Sequence, residues 1–387
     1  MSKIENKSDN KDDNSKSKED YDFETNEMTA TKIRNVIDGM IHQIENMHQP
    51  TFTTKVRGQS NVHFNDRDRI LELGDKCTKR SFLNLGHARK FMQTSLILDR
   101  CYEYLRNQKT ASIREVYYEL KRDIAKTKEY TFANQGESND VIVDVEHAIN
   151  SIREKLNLQA EPKGALYGDV TLKDMKHDGD EFNCSTLGRG GWSIMSRIEP
   201  EEIKILNVNA NYLLVVETSA MYNRLIEERF PKKHKCILLS VGGQAARGAR
   251  RLIHRLHTEC KLPVIVFTDG DPYGWYIYSV IKQGSMALAA HSKYLAVPDA
   301  KYVGMTISDV ETYSLQNVTE TLKEGGIKRA KEVMAYPWFS SEEWQTELKT
   351  AIKKKIRIEQ QALANKSLEF VAEKYLPEKI ENKIFLP

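Results

Sequence analysis

The sequence predicts a multidomain α+β protein, in which a helical N-terminal region precedes an α/β domain built on a parallel sheet. At about 100–200 residues per domain, a chain of 387 residues corresponds to two or three domains. Apolar residues recur every three or four positions through much of residues 26–158, which is typical of amphipathic helices. After residue 206, short apolar runs alternate with helical patterns, which is typical of parallel strands covered by helices.

The composition excludes several classes of protein. The chain has 58 Lys+Arg and 55 Asp+Glu, a formal charge of +3, so its whole surface is not basic. No apolar run reaches the roughly 18 residues of a membrane span, and the N-terminus lacks the apolar core of a secretory signal. The five cysteines are scattered and form no CxxC pair, which argues against a disulfide framework or a zinc site. We therefore expect a cytoplasmic protein without membrane association.

The first 75 residues are predicted to be peripheral to the folded domains. Residues 1–25 contain almost no apolar side chains, so we expect a disordered tail. Their five Lys and eight acidic residues give a charge of −3, which leaves +6 on the rest of the chain. Residues 26–75 are predicted to be a helical extension or arm, with an amphipathic helix over about 27–50 and a polar loop or arm at 51–68.

Residues 76–158 are predicted to form a small helical domain. Helical periodicity covers 82–105 and returns in SIREVYYEL (112–120) and HAINSIREKLNL (147–158). Several short helices with a capped one in the middle indicate a helix-turn-helix or winged-helix unit. The Gly-, Asp- and Lys-rich residues 159–205 are predicted to be a linker or connecting segment.

The α/β domain is predicted to span 206–387, with a helical elaboration at its C-terminus. Three strand-like runs alternate with helical patterns at 221–230, at about 244–257 and after Pro272; the runs are NYLLVVE (211–217), KCILLSV (235–241) and LPVIVFTD (262–269). A further apolar run, KYLAVPD (293–299), continues this alternation. A long helical pattern covers about 342–372.

The SIREVYYEL helix carries the first candidate functional residues. Ser112 and Glu115 form a capping-box pattern, so the helix begins here. Its apolar stripe includes Tyr117, and Tyr118 is rotated by about 100° onto the face of Arg114. A guanidinium next to a tyrosine stabilises the phenolate and can hold a phosphate. The alternative is that Tyr118 is a surface aromatic residue without a role.

Acidic residues follow two of the predicted strands. Glu217 ends the first strand, and Asp269 and Asp271 follow the third, where residues i and i+2 of an extended chain point the same way. Ligands of an open parallel sheet bind beyond the carboxyl ends of its strands. Three carboxylates without a nearby Cys or His favour Mg²⁺. The alternative is an acidic turn that only solvates a strand end.

A glycine turn, Gly242–Gly243, precedes a helix with one strongly basic face. No acidic residue occurs between Gln244 and Thr258. A glycine turn at a helix N-terminus favours anions, and arginines can extend such a site along a phosphate backbone. We therefore predict a DNA-contacting stripe rather than a solvated charged face. The members of this stripe are Arg247, Arg250, Arg251 and Arg255.

Together, these features predict phosphoryl transfer on nucleic acid. Tyr118 would attack a backbone phosphate and form a phosphotyrosine ester, which keeps the energy of the phosphodiester and lets the break be resealed. Mg²⁺ would hold the phosphate and stabilise the developing charge. The sequence has no GxxxxGK[ST] loop, so a reaction that used ATP would need another polypeptide to bind it.

The sequence resembles the A subunits of archaeal DNA topoisomerase VI, the family that includes the meiotic double-strand-break transesterase. The resemblance covers about residues 70–387, and the Glu217 and DGD pattern is similar to a Toprim domain. The motifs follow the order seen in the family: REVYY (114–118), QGESNDVIVDVE (135–146), PKGALYG (162–168), VVETSAMYNRL (215–225), GGQAARGARRLIHRL (242–256), FTDGDPYG (267–274) and EQQAL (359–363).

The resemblance implies a winged-helix (CAP-like) DNA-binding domain followed by a Toprim domain. It implies an ATP-dependent type IIB topoisomerase that makes a transient double-strand break through a 5′-phosphotyrosyl intermediate, and so relaxes and decatenates DNA. Tyr118 would be the nucleophile, Arg114 its partner, and Glu217, Asp269 and Asp271 the metal ligands. The implied assembly is an A₂ homodimer, joined by a B subunit with a GHKL ATPase that binds ATP in an A₂B₂ heterotetramer. The implied location is the archaeal nucleoid.

Two positions depart from the family pattern, and three other functions stay open. Family members often have Lys where this chain has Thr218 and Gly243. Because the three acids are intact, we expect activity to survive. One alternative is a meiotic-type enzyme that breaks DNA without strand passage. The others are a Toprim nuclease or primase-like enzyme that uses metal-activated water, and a non-catalytic architectural DNA-binding protein.

Overall fold

The computed structural model describes residues 24–176 and 178–387. The α-helices are α1 (Asn26–Glu45), α2 (Leu85–Arg106), α3 (Ile113–Leu120), α4 (Gln135–Ala148), α5 (Ser219–Glu227), α6 (Phe230–Lys233), α7 (Arg247–Cys260), α8 (Pro272–Gln283), α9 (Ser292–Leu295), α10 (Ser308–Thr312), α11 (Glu324–Met334), α12 (Glu342–Lys354) and α13 (Leu376–Glu381).

The strands alternate with these helices along the chain. They are β1 (Thr51–Lys55), β2 (Val62–Asn65), β3 (Ile70–Leu73), β4 (Cys77–Ser81), β5 (Ala111–Ser112), β6 (Leu158–Gln159), β7 (Ala165–Tyr167), β8 (Val170–Asp174), β9 (Asp180–Asn183), β10 (Trp192–Ser193), β11 (Ile203–Val208), β12 (Tyr212–Val216), β13 (Cys236–Ser240), β14 (Val264–Phe267), β15 (Lys301–Gly304), β16 (Glu320–Thr321) and β17 (Ile356–Arg357).

The chain divides into two compact units, each with its own core. The first unit contains the described residues up to 54, together with 78–159. The second contains 55–77 and the described residues from 160 to 387. The β2–β3 hairpin, which precedes most of the first unit in sequence, therefore belongs to the second unit.

Helices α1 to α4 form the body of the first unit. Their apolar faces meet in one core, in which Ile33, Ile97, Val116 and Val145 are each 0% exposed. Strands β1 and β4 pair with each other, and the short strands β5 and β6 pair in parallel. The helices predicted near 27–50, 82–105 and 112–120 are confirmed.

Two expectations for the N-terminal 75 residues need correction. Residues 1–23 of the predicted tail lie outside the described residues, but its last two residues are ordered. Glu24 is only 4% exposed; its carboxylate accepts a hydrogen bond from Ser151 Oγ at 2.9 Å and lies 3.0 Å from Lys32 Nζ. The polar loop predicted at 51–68 contains β1 and β2, because pairing with later strands satisfies their backbone groups.

A six-stranded mixed sheet is the centre of the second unit. Its strand order is β10-β7-β13-β12-β14-β15, with parallel pairing from β13 to β15 and antiparallel pairing at β7 and β10. Leu213 of β12 pairs with Ile237 on one side and Val264 on the other. The carboxyl ends of these three strands are therefore in register, as the sequence predicts for a parallel sheet.

Both faces of this sheet are buried, which explains the continuous apolar runs. Leu213 and Val215 face a core that includes residues of α7 and α8. Leu214 and Val216 face a second core that includes residues of α5. Each of these four side chains is 0% exposed, so the alternation of a half-exposed strand is absent.

Three other element predictions differ from the structure. Residues 159–205, predicted to be a linker, supply β7 and β10 to the sheet, and β8 and β9 to a three-stranded sheet with β11. In the 147–158 stretch, α4 ends at Ala148, and a 3₁₀ turn and β6 follow. The KYLAVPD run forms α9 and a loop, and the fourth parallel strand is β15 instead. These short elements depend on tertiary pairing more than on local periodicity.

The long C-terminal helix predicted at 342–372 is also wrong. Helix α12 ends at Lys354, because Lys355 adopts a left-handed conformation with φ of 54°. The chain then forms β17, a 3₁₀ turn at Gln360–Asn365 and a π-helical turn at Val371–Tyr375 before α13. Among residues 24–176 and 178–387, no helix has the length and apolar character needed to cross a membrane.

Candidate active site

The first candidate site is the exposed face of α3. Ser112 Oγ accepts a hydrogen bond from the Glu115 N–H at 3.1 Å, and Glu115 Oε2 accepts one from the Ser112 N–H at 2.6 Å. This reciprocal capping box fixes the start of the helix, as the sequence predicts. The hydrogen bond to the Ser112 N–H also lowers the pKa of Glu115, which keeps this cap charged.

The two tyrosines of α3 have opposite environments. Tyr117 is 7% exposed and packs in the core, whereas Tyr118 is 61% exposed. The guanidinium carbon of Arg114 lies 6.0 Å from the centre of the Tyr118 ring. The structure therefore leaves Tyr118 accessible to a large substrate and holds a permanent positive charge next to it.

The second candidate site lies at the carboxyl ends of β12 and β14, in the second unit. Glu217 Oε2 accepts a hydrogen bond from the Asp269 N–H at 3.0 Å, and Asp269 Oδ1 accepts one from the Gln360 N–H at 2.8 Å. Burial raises the pKa of Glu217 to about 7, and the nearby Asp269 carboxylate adds to this shift. Burial, together with the charge of Asp271, raises the pKa of Asp269 to about 6. The sheet thus brings these acids together at an electrostatic cost.

Asp271 has a different local role from the other two acids. Its Oδ1 accepts hydrogen bonds from the N–H groups of Tyr273 at 2.8 Å and Gly274 at 2.9 Å, so it caps α8. Its Oδ2 lies 3.3 Å from Arg357 Nη1. The side chain is therefore held both by the helix N-terminus and by an arginine.

The C-terminal segment supplies residues that sequence reasoning missed. Arg357 lies beside Asp271, and its Nη1 is also 3.2 Å from Glu359 Oε1. The Glu359 carboxylate adds to the negative charge that raises the pKa of both Glu217 and Asp269. Gln360 is 0% exposed and holds Asp269 through its main chain. The EQQAL motif indicated that this segment resembles the family, but nothing in its residues predicted that it lies beside the acids.

The donor set at this edge fits a hard divalent cation. Within residues 24–176 and 178–387, no three His, Cys, Asp or Glu side chains already converge as a set of metal ligands. Glu217 and Asp269 are nevertheless half-buried carboxylates of like charge, and a cation would relieve their repulsion. The buried Oε1 of Gln360 also lacks a donor in the described structure. Oxygen donors of this kind are the ligands that Mg²⁺ prefers.

The two positions that depart from the family pattern have clear structural roles. Gly242 and Gly243 have φ of 64° and 88°, in the region that favours glycine. The Gly243 N–H donates to the Glu217 carbonyl oxygen at 2.8 Å, so the turn lies directly beside the first acid. Thr218 Oγ1 accepts a hydrogen bond from the Met221 N–H at 3.2 Å and caps α5.

The predicted DNA-contacting stripe on α7 is wrong, because its arginines are buried within the second unit. Arg247, Arg250, Arg251 and Arg255 are 9%, 2%, 6% and 1% exposed. The apolar face of α7 is also buried, so the helix is enclosed on both sides.

The acidic partners of Arg251 and Arg255 lie outside the acid-free stretch from Gln244 to Thr258: Glu199 is far upstream, and Glu259 is in the last turn of α7 itself. Arg251 Nη2 lies 2.9 Å from Glu199 Oε2, and Arg251 Nε donates to Glu199 Oε1 at 3.1 Å. Arg255 pairs with Glu259 at 2.5 Å and donates to the carbonyl oxygen of Ile203 at 2.8 Å. Such pairing is what a buried guanidinium requires, so Arg251 and Arg255 are structural.

Two family models match the chain. The model for the Toprim domain of the topoisomerase 6 A subunit and Spo11 matches residues 212–380, and the model for type IIB DNA topoisomerase matches residues 89–158. The first match contains Glu217, Asp269 and Asp271, and the second contains Tyr118.

Curated relatives match over nearly their whole length. The A subunit of type 2 DNA topoisomerase 6 from Pyrococcus abyssi is 48% identical, covering 96% of this chain and 98% of the relative. The protein of the same name from Pyrococcus horikoshii is 47% identical with the same coverage. That from Sulfurisphaera tokodaii is 36% identical, covering 94% of this chain and 97% of the relative. The predicted resemblance and enzyme class are confirmed: the chain belongs to the type IIB DNA topoisomerase family, as a member of its A-subunit group.

Proposed function

We propose that this A-subunit-family chain cleaves duplex DNA with Tyr118 as its nucleophile. The observation that carries the proposal is the exposed Tyr118 hydroxyl on a capped helix, with the Arg114 guanidinium over its ring. The Tyr118 oxygen attacks a backbone phosphorus as the phenol loses its proton. The bond from phosphorus to the 3′ oxygen breaks, and that oxygen leaves as a 3′ hydroxyl after taking a proton. The 5′ end stays on the protein as a phosphotyrosyl ester.

Resealing follows from the same chemistry in reverse. The 3′ hydroxyl attacks the phosphotyrosyl phosphorus and releases Tyr118, so the number of phosphodiester bonds is conserved. In this proposal the Arg114 guanidinium holds the phosphate and stabilises the phenolate. Cleavage of both strands, followed by strand passage and resealing, relaxes and decatenates DNA.

Glu217, Asp269 and Asp271 are proposed to hold Mg²⁺. When bound, the ion supplies charge stabilisation at a backbone phosphate. Glu217 and Asp269 are already held by main-chain N–H groups, and Asp271 is held by the N-terminus of α8. The acids are therefore oriented by the fold before the ion binds.

The fold of the first unit supports a DNA-binding role. We propose that the helices α2, α3 and α4, with the short β5–β6 pair, form a winged-helix (CAP-like) domain over about 76–158, followed by the Toprim domain. Helix α3 would then present Tyr118 to duplex DNA. The proposed location is nucleoid DNA in an archaeal cytoplasm.

The assembly is proposed from the names of the relatives. A protein named as the A subunit of a type 2 topoisomerase implies a DNA substrate and a partner B subunit. We propose an A₂ homodimer that joins two B subunits, which carry the GHKL ATPase and bind the ATP. The absence of a GxxxxGK[ST] loop from this sequence is in keeping with ATP binding by the partner.

The test is the Tyr118→Phe variant, assayed for cleavage and for DNA binding with Mg²⁺. We expect cleavage and the covalent adduct to be lost while binding is retained, because only the nucleophilic oxygen is removed. A nuclease that uses metal-activated water would still cut DNA in this variant. Relaxation of supercoiled DNA with a B-type partner, ATP and Mg²⁺ separates a topoisomerase from an enzyme that only breaks DNA.

A further inference from the structure

Gln360 occupies a fully buried position between the end of β14 and the acids. Its side chain is 0% exposed. Its main-chain N–H donates to Asp269 Oδ1 at 2.8 Å, and its Nε2 donates to the carbonyl oxygen of Phe267 at 2.9 Å. The hydrogen bond to Phe267 identifies the amide nitrogen and the amide oxygen of the Gln360 side chain, because a carbonyl oxygen can only accept a hydrogen bond.

The other end of this amide has no partner in the described structure. Gln360 Oε1 is buried and accepts no hydrogen bond from the described residues. A buried amide oxygen without a donor is unfavourable, and native proteins place a donor or a water there. The Phe267 carbonyl oxygen that anchors Gln360 Nε2 also accepts a hydrogen bond from the Glu217 N–H at 3.2 Å, so the amide lies beside the strand ends that carry both acids.

We propose that Gln360 is a positioning residue for the divalent cation of the acid site. Its main-chain N–H orients Asp269, and its Oε1 accepts a hydrogen bond from a water molecule of the hydrated cation. This inference rests on the proposed role of Glu217 and Asp269 as metal ligands. Magnesium keeps several of its waters when a protein binds it, so such donors are available at a site of this kind.

Outer hydrogen-bond partners have a known energetic effect at metal sites. They orient the ligands and the water shell, and their loss lowers metal affinity by about 10–100-fold. Gln360 combines both functions in one residue: its main chain reaches the ligand and its side chain is anchored to Phe267. The adjacent Gln361 differs, because its side chain is exposed and its Nε2 makes a 3.4 Å contact with Thr218 Oγ1. Gln361 is therefore a matched control.

The test compares Mg²⁺ binding by the full chain and by the variants Gln360→Met and Gln361→Met. Affinity is measured by calorimetry and by the shift of Tm across a Mg²⁺ titration. We expect Gln360→Met to bind Mg²⁺ about 10-fold more weakly, and Gln361→Met to bind like the parent. A Gln360→Met protein with a lower metal-free Tm and unchanged Mg²⁺ affinity would show a purely structural role and overturn the inference.

Three further outcomes keep the test decisive. If Gln360→Met does not fold, Gln360→Asn replaces it, because the shorter side chain withdraws Oε1 while keeping an amide; parent-like Mg²⁺ affinity in Gln360→Asn overturns the inference. If the parent itself binds no Mg²⁺, the proposed metal role of the acids fails together with this inference. If the parent binds Mg²⁺ and both variants bind equally well, only the role of Gln360 fails.

Discussion

The buried pair of Arg251 and Glu199 gives the sharpest test of whether the arginines of α7 are structural rather than DNA-binding. The two residues are 6% and 4% exposed, and they meet through two hydrogen bonds of 3.1 and 2.9 Å. Replacing Arg251 by Met removes one partner and leaves the Glu199 carboxylate buried and unpaired. Breaking a buried pair in this way typically costs about 3–5 kcal/mol. We therefore expect Arg251→Met to lower the free energy of unfolding by about that amount.

A double-mutant cycle separates the pair from the other contacts of each residue. Glu199→Leu alone removes the carboxylate that balances a buried guanidinium and should also destabilise the protein strongly. The double variant removes both charges of the pair, so it should recover most of the loss, within about 1–2 kcal/mol of the parent. Urea unfolding of the second unit, followed by tryptophan fluorescence, measures each free energy. Lys353→Met, on the exposed side of α12, is the control and should change stability little.

The competing explanation makes the opposite prediction. If Arg251 contacted DNA phosphate, Arg251→Met would leave unfolding unchanged. The variant would instead bind DNA with a shallower dependence of log affinity on log salt concentration, by the amount expected for the loss of about one phosphate contact. Parent-like stability of Arg251→Met, combined with such a reduced salt slope, would refute our assignment of α7 as a buried helix.

Three further predictions concern the two candidate sites. Arg114→Ala should slow formation of the covalent adduct by about 10²-fold, which is the usual effect of losing one charge-stabilising donor. The free energy of unfolding should stay within about 0.5 kcal/mol of the parent, because Arg114 is exposed. Quench-flow adduct assays and urea unfolding measure the two effects, and a loss of stability large enough to explain the slower reaction would contradict the prediction. Glu217→Gln should stabilise the metal-free protein at pH 8 by about 2–3 kcal/mol, since burial raises the pKa of Glu217 from 4.5 to about 7. Between pH 4.5 and about 7, Glu217 keeps its proton in the folded parent but has lost it in the unfolded chain, so the parent loses stability as the pH rises. The stability gained by Glu217→Gln should therefore vanish below pH 4.5. A gain that does not depend on pH would be inconsistent with this. Gly243→Ala should cost about 1 kcal/mol in thermal unfolding, because φ is 88° there; an unchanged Tm would show that the turn relaxes.

Local rules were sufficient for the parts of each site that lie within one element. The capping box of Ser112 and Glu115 sets the start of α3, and the helical period then separates Tyr117 from Tyr118. The meeting of Glu217 and Asp269 follows from the parallel order of their strands. In each case the relevant geometry is contained in a single helix or in two adjacent strands.

Long-range contacts explain what sequence reasoning missed. Arg251 looks like part of a phosphate-binding stripe because its acidic partner, Glu199, is 52 residues earlier in the chain. Arg357 and Gln360 reach the acids from the C-terminal segment, 86 and 91 residues beyond Asp271 and Asp269. No periodicity or local motif encodes which distant segment fills a given space, so these contacts appear only once the chain is folded.

The most direct test of the account is to identify the residue that becomes covalently attached to DNA. The full chain is incubated with supercoiled DNA, Mg²⁺, ATP and a B-type partner, the reaction is stopped with denaturant, and the nuclease-trimmed adduct is located by peptide mass spectrometry. We predict a 5′-linked nucleotide on Tyr118, its loss in Tyr118→Phe and its retention in Tyr117→Phe. An adduct on Tyr117, or DNA cleavage that leaves no protein attached to the ends, would contradict the central claim.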